Sequence, residues 1–148
     1  MKYRPLGKTG ITVSEIGFGT WPMGGDWGQR DDRQAIWALE RAFELGVTLF
    51  DTAKVYGHGH SERLLGQTFQ GRRDKVIFAS KIPPKSMQWP VLPDDPLHDT
   101  FPASWITQCT EETLHNLKTD YLDLQQLHAW TPSYTELDEW YDALTTLR

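Results

Sequence analysis

Two hydrophobic periods run along this chain, and the switch between them repeats. Four short apolar runs, "SEIGFGT" (14–20), "VTLFDTA" (47–53), "KVIFASK" (75–81) and "YLDLQQLHAW" (121–130), each end in polar residues, as buried strands do. Between them the spacing turns helical. Ile36, Leu39 and Phe43 fall at i, i+3, i+7 within 31–46, and "SERLLGQTFQ" (61–70) reads as a shorter helix. Ile106, Cys109, Thr113 and Leu117 share a face of 103–118, and Leu137, Trp140, Leu144 and Leu147 recur at i, i+3, i+7, i+10 in a closing helix without a C-terminal cap. Asp31 or Asp32 can cap the first helix, and Gly46 stands where a left-handed residue would end it. Around "GKTG", residues 3–14 predict a small hairpin acting as a lid or plug. Residues 82–100 hold five prolines and neither period, so a long loop is expected there, of the kind that often carries function.

Strand then helix, four times over, implies parallel strands joined by right-handed crossovers, with helices covering the sheet. Doubly wound sheets and (β/α)8 barrels both satisfy this. A dinucleotide fold should carry G-x-G-x-x-G after its first strand, and "GFGTWPMGG" (17–25) lacks that spacing, which favours the TIM (β/α)8-barrel type. A whole barrel takes ~250 residues. The 148 residues here are expected to form one half of it, a hairpin plug over 1–14 and the first four β/α units over 15–148.

Composition narrows the ligand. With 39% hydrophobic and 24% charged residues the chain is ordinary globular material. A net charge of −5, with 15 scattered basic residues, leaves no footprint for nucleic acid or an anionic membrane, so a small molecule is the expected partner. Cys109 is the sole cysteine, which excludes an internal disulfide and a Cys-rich zinc site and fits a reducing, cytoplasmic setting. No window approaches the ~18 apolar residues of a membrane span.

The strand ends carry the candidate chemistry: Thr20, Asp51, Lys81 and His128. In a parallel barrel these ends share one rim, where active sites are built. Asp51, Lys81 and His128 would stand on consecutive strands ~4.8 Å apart, with Tyr56 leaning over them from the loop after Asp51. A nearby ammonium makes a phenolate easier to form, a buried ammonium needs an opposite charge, and an imidazole can donate a hydrogen bond to an oxygen gaining negative charge. Such a set suits carbonyl reduction: hydride reaches the carbonyl carbon while Tyr56 protonates the oxygen.

"YRPLGKTGITVSEIGFGT", "LFDTAKVYGHGHSERLLG", "KVIFASKI" and "TDYLDLQQLHAW" resemble, in order and spacing, successive signatures of the aldo-keto reductase family. The resemblance implies a catalytic tetrad of Asp51, Tyr56, Lys81 and His128, reduction of aldehydes and ketones by NADPH, and no metal. It also implies that Gly19, Thr20, Trp21 and Asp51 border the nicotinamide ribose, and that Trp21, Trp27, Trp89 and Trp130 wall the carbonyl pocket. Members of the family continue through four more strands that grip the nicotinamide amide, the pyrophosphate and the adenosine phosphate. A chain without them should hold NADPH weakly. It should also expose two sheet edges, to be closed by a second copy in a homodimer or by a separate C-terminal half-barrel.

Two other classes compete. One is a non-catalytic half-barrel used for binding or regulation, as in auxiliary subunits of potassium channels. The other is a metal-dependent hydrolase using the H-x-H pair His58 and His60, although helix capping by His60 or Ser61 explains that segment as well. Lys54 is expected to be a solvated loop charge, His98 and His115 surface residues, and Trp37, Trp105 and Trp140 packing groups.

Overall fold

In the computed structural model, which describes residues 1–25, 28 and 30–148, strands β1 (Tyr3–Pro5) and β2 (Thr12–Ser14) pair antiparallel. The Ser14 hydroxyl accepts from the Thr48 amide at 2.9 Å, and the Tyr3 hydroxyl donates to the Gly46 carbonyl at 3.0 Å. These bonds fasten the hairpin at the N-terminal ends of the sheet strands, the end away from Asp51 and Lys81.

Next come β3 (Gly17–Gly19) and, after a 3-10 turn at Trp21–Gly24, α1 (Asp32–Glu44). Asp31 caps α1 by accepting from the amides of Arg33 and Gln34 at 3.0 and 3.1 Å, and Gly46 ends it at φ +93°. There follow β4 (Leu49–Asp51), α2 (His60–Thr68), β5 (Ile77–Ile82), the single turn α3 (Leu97–Thr100), α4 (Ala103–Leu117), β6 (Leu124–Leu127) and α5 (Glu139–Thr146). The remaining four strands form one parallel sheet in the order β3-β4-β5-β6, half of a barrel sheet. None of the described helices is long and apolar enough to cross a membrane.

Strand alternation sorts the side chains onto two faces. Phe18, Phe50 and Phe78 lie in register and point toward the helices, where Leu39, Leu65, Phe69 and Leu117 complete a core. A second core joins Ile82, Phe101, Ile106 and Tyr134. Residues one step along each strand, Asp51, Ala79, Lys81, Leu124 and Gln126, share the opposite face.

Several expectations change here. The proline-rich loop is not all loop, because α3 buries Leu97 and delivers Phe101 to the second core. The closing helix starts later than its periodicity suggested, after a 3-10 turn at Pro132–Glu136 that buries Tyr134. Its inward face is Trp140, Ala143 and Leu144, leaving Leu137 and Leu147 exposed. Trp37 is not a packing residue: it is 69% exposed on the outside of α1, while Trp105 and Trp140 do pack. The cap of α2 is Gly59 in a left-handed conformation, not the side chain of His60 or Ser61.

Candidate active site

Asp51 closes β4, Lys81 sits one residue before the end of β5, and His128 follows directly after β6. Parallel pairing aligns Asp51 with Ala79 and Lys81 with Gln126, so the aspartate and the lysine fall one step apart on neighbouring strands of one face. The Lys81 ammonium spends its donors on a short hydrogen bond to Asp51 Oδ1, on the Thr52 carbonyl at 2.8 Å and on the Tyr56 hydroxyl at 3.3 Å. Its side chain is 14% exposed, and a charge this enclosed persists because a carboxylate and two oxygens replace its water.

Tyr56 reaches the site from a loop of successive turns, its amide bonded to the Ala53 carbonyl at 3.0 Å and that of His58 to the Val55 carbonyl at 3.3 Å. The loop rests on the 3-10 turn at Trp21–Gly24. A Cβ on Gly57, which has φ +60°, would come within 2.4 Å of the Gly24 carbonyl oxygen, so glycine is required where the two backbones meet. Behind the loop, Ser61 Oγ donates within a buried hydroxyl cluster with Thr20 and Thr52, at 2.6 Å from Thr20 Oγ1.

The His128 amide continues the ladder to the Ile82 carbonyl at 2.9 Å. Its ring stands edge-on to Tyr56 and to Trp89, with centroids 5.7 and 5.0 Å apart. Burial pushes its pKa below the usual imidazole value and the Lys81 charge adds to that, while Asp51 partly opposes both. Buried His128 Nδ1 has no hydrogen-bond partner among the described residues.

A cavity of about 420 Å³ opens beside these groups, lined by Trp21, Val55, Tyr56, Met87, Trp89 and His128. A larger one, about 1030 Å³ around Arg73, Lys118 and Tyr121, contains none of the four polar groups. Of the expected pocket tryptophans, Trp21 and Trp89 line the smaller cavity. Trp130 does not: it packs edge-on against Tyr134 and Trp140. Trp27 lies outside the described residues. Gly19 and Thr20 flank Asp51, whose carbonyl accepts from the Thr20 amide at 2.9 Å, and Trp21 stacks over Tyr56 at 6.1 Å.

The H-x-H pair does not assemble a metal centre. His60 Nε2 lies 2.7 Å from Asp32, and no group of three or more His, Cys, Asp or Glu suited to a metal occurs among the described residues.

Two charged residues take places that the sequence does not suggest. Lys54 is not a solvated charge: its side chain is 17% exposed, with Nζ 2.8 Å from Glu112 and over the Trp105 ring. Burial pulls its pKa down, but the hydrogen bond to Glu112, with Cys109 and the Glu112 charge, outweighs this and leaves it raised. Glu62, fully buried at the start of α2, accepts from Ser80, Thr113 and Asn116 at 2.7, 2.9 and 2.9 Å. Its only sequence signal was a charge next to the apolar pair Leu64 and Leu65. Cys109 is buried, and desolvation pushes its thiol up to about 11 despite Lys54 nearby, so it is a packing residue and not a nucleophile.

The model of the aldo/keto reductase family matches residues 15–148. Aldo-keto reductase YhdN of Bacillus subtilis is 35% identical over 150 residues, covering 99% of this chain and 43% of its own length. Methylglyoxal reductase YeaE of Escherichia coli is 38% identical over 124 residues, covering 84% and 38%. Among solved structures, the aldo-keto reductase AKR11C1 of Bacillus halodurans superposes with a TM-score of 0.80 at 32% identity, covering 99% of this chain and 46% of that one. An aldo-keto reductase of Klebsiella pneumoniae solved with NADPH gives 0.66 at 31% identity, covering 93% and 42%. The chain thus spans less than half the length of these relatives.

Proposed function

The chain belongs to the aldo/keto reductase family, and on that premise we propose that it carries the proton-donating half of a nicotinamide-dependent carbonyl reductase site, with Tyr56 as general acid. The observation that carries this reading is the Tyr56 hydroxyl 3.3 Å from the Lys81 ammonium, at the wall of a small aromatic cavity that His128 also lines. Tyr56 gives its proton to the carbonyl oxygen, and Lys81 offsets the charge left on the phenol oxygen. Asp51 holds Lys81 charged and in place. His128, driven toward its neutral form, offers an N–H to the same oxygen and so orients the carbonyl.

Bound NADPH supplies the hydride. The residues fit its reactive end. A Cβ built on Gly19 would meet nothing within 4 Å, which leaves an open face beside the 40% exposed Asp51 carboxylate, an acceptor for ribose hydroxyls. Gly19, Trp21 and Asp51 would border that end; Thr20, also expected there, is fully buried in the hydroxyl cluster and supports it from behind, and affinity within these residues alone is weak. The cavity suits small aldehydes and ketones, methylglyoxal among them by analogy with YeaE. The open edges β3 and β6 are covered in the working enzyme by a second four-stranded half, from the length of the relatives that this chain does not span or from a second copy. A stable monomer by mass measurement in solution rules out the second copy. A cytoplasmic location accords with the lone buried thiol.

The test is NADPH oxidation with methylglyoxal, repeated with NADH. Tyr56→Phe should lower kcat by about 10²–10⁴-fold without changing the melting temperature. Equal rates for variant and parent would remove Tyr56 from the chemistry.

A further inference from the structure

We propose that Lys54 is a positioning residue for Tyr56, tying the β4–α2 loop to α4 through Glu112. The proposal rests on the reading of Tyr56 as the proton donor. The two side chains leave the same loop in opposite directions, Tyr56 to Lys81 inside the sheet and Lys54 outward to α4. Lys54 Nζ sits 2.8 Å from Glu112 Oε2 and 4.7 Å from the centre of the Trp105 ring. Gln108 steadies the other Glu112 oxygen at 2.8 Å. The Trp105 indole N–H donates to the Pro83 carbonyl at 2.8 Å, just beyond the end of β5.

These contacts close a circuit. From Tyr56 the chain leads back to Lys54, across to α4 at Glu112 and Trp105, on to Pro83, and along β5 to Lys81, which meets the Tyr56 hydroxyl again. The distance between phenol and ammonium is therefore set from both sides of the loop. Other tethers of the loop are the Gly24–Gly57 contact and the hydroxyl cluster of Thr20, Thr52 and Ser61 on the side of the 3-10 turn, and the Lys54 amide donating to the Lys81 carbonyl at 3.4 Å. At the far end of the loop, Arg63 donates to the His58 carbonyl at 3.1 Å and to Asn116 of α4 at 3.3 Å; Lys54–Glu112 is the side-chain tie to α4 nearest Tyr56. An exposed ion pair would do little here. Glu112 is 46% exposed, but the lysine is largely enclosed and lies on an aromatic face, so the tie is intermediate between a surface pair and a buried one. Displacing a reacting group by ~1 Å can cost on the order of 10²-fold in rate, so partial slack is enough to register.

The experiment measures amide hydrogen exchange over residues 52–61 and steady-state NADPH oxidation in the full chain, for the parent, Lys54→Met, Lys54→Arg and Glu112→Gln. Methionine keeps the apolar stem over Trp105 and removes the charge. Lys54→Met should speed exchange in 52–61 by roughly tenfold while residues 77–82 keep their protection. Its kcat should fall about tenfold with KM within about twofold, and Lys54→Arg should restore both readouts. Glu112→Gln should move both in the same direction as Lys54→Met, by less. Unchanged exchange in 52–61 for Lys54→Met, or no rescue by arginine, overturns the proposal. A parent that does not oxidise NADPH shows that these 148 residues are not a reductase without a second half, and the exchange data then decide the role of Lys54.

Discussion

The two faces of the β3-β4-β5-β6 sheet are built from alternate residues of the same strands, yet they do opposite work. On the helix side Phe50 and Phe78 are buried to within 1% of complete exclusion. On the other side Asp51 and Lys81 form an ion pair next to Tyr56, which lines the cavity, with half-buried Leu124 and Gln126 on the same face. Apolar area removed from water stabilises at roughly 25 cal/mol per Å², so the helix face holds the sheet together. The inner face contributes geometry: it sets charged groups at fixed separations, and the packing behind it keeps them there. A one-residue slip in register would exchange the two sets, which ties the position of the chemistry to the burial of the phenylalanines.

The largest expected effect tests that division directly. Phe50→Ala should cost about 3–5 kcal/mol of stability by chemical denaturation, whereas Leu124→Ala on the inner face should cost about 1 kcal/mol. Comparable losses would mean that the inner face is itself packed in solution, and so covered by further strands. A smaller change probes Glu62, a carboxylate buried on the helix side. Thr113→Val removes a donor from Glu62, leaving Ser80 and Asn116, and should cost about 1–3 kcal/mol in the same measurement.

The smallest effect is a pH dependence from the inner face. The His128 pKa is lowered in the folded chain, chiefly by burial, so below its unfolded value of about 6.5 the unfolded chain binds the proton more readily. Stability should be level above about pH 6.5 and decline as the pH falls through the lower folded value. His128→Gln should flatten that decline between roughly pH 6.5 and 5, before the carboxylates titrate, and an identical melting profile for the two proteins would break the assignment.

Much of this was legible in the residues. Apolar runs located the strands, helical spacing found the buried face of α4 through Ile106, Cys109, Thr113 and Leu117, and polar strand ends picked out Asp51, Lys81 and His128. Periodicity works there because it reports which side of an element faces the core. It does not report what lies across from the other side. Trp37 shares its side of α1 with Glu40, Arg41 and Glu44 and points outward despite its apolar bulk, Leu137 and Leu147 continue a spacing that the last helix does not use, and Trp130 shares a strand end with His128 but turns to Tyr134 and Trp140.

Chain order and residue type alone therefore determined the parallel β/α architecture, the hairpin ahead of it and the set of polar groups at one rim, because these follow from local period and from the alternation of side chains along a strand. Tertiary structure decided the partners: Lys54 with Glu112, His60 with Asp32, Glu62 with three neutral donors. Each of these pairs joins separate elements, and the charge of a residue says that it needs a partner without saying which one packing will bring within 3 Å.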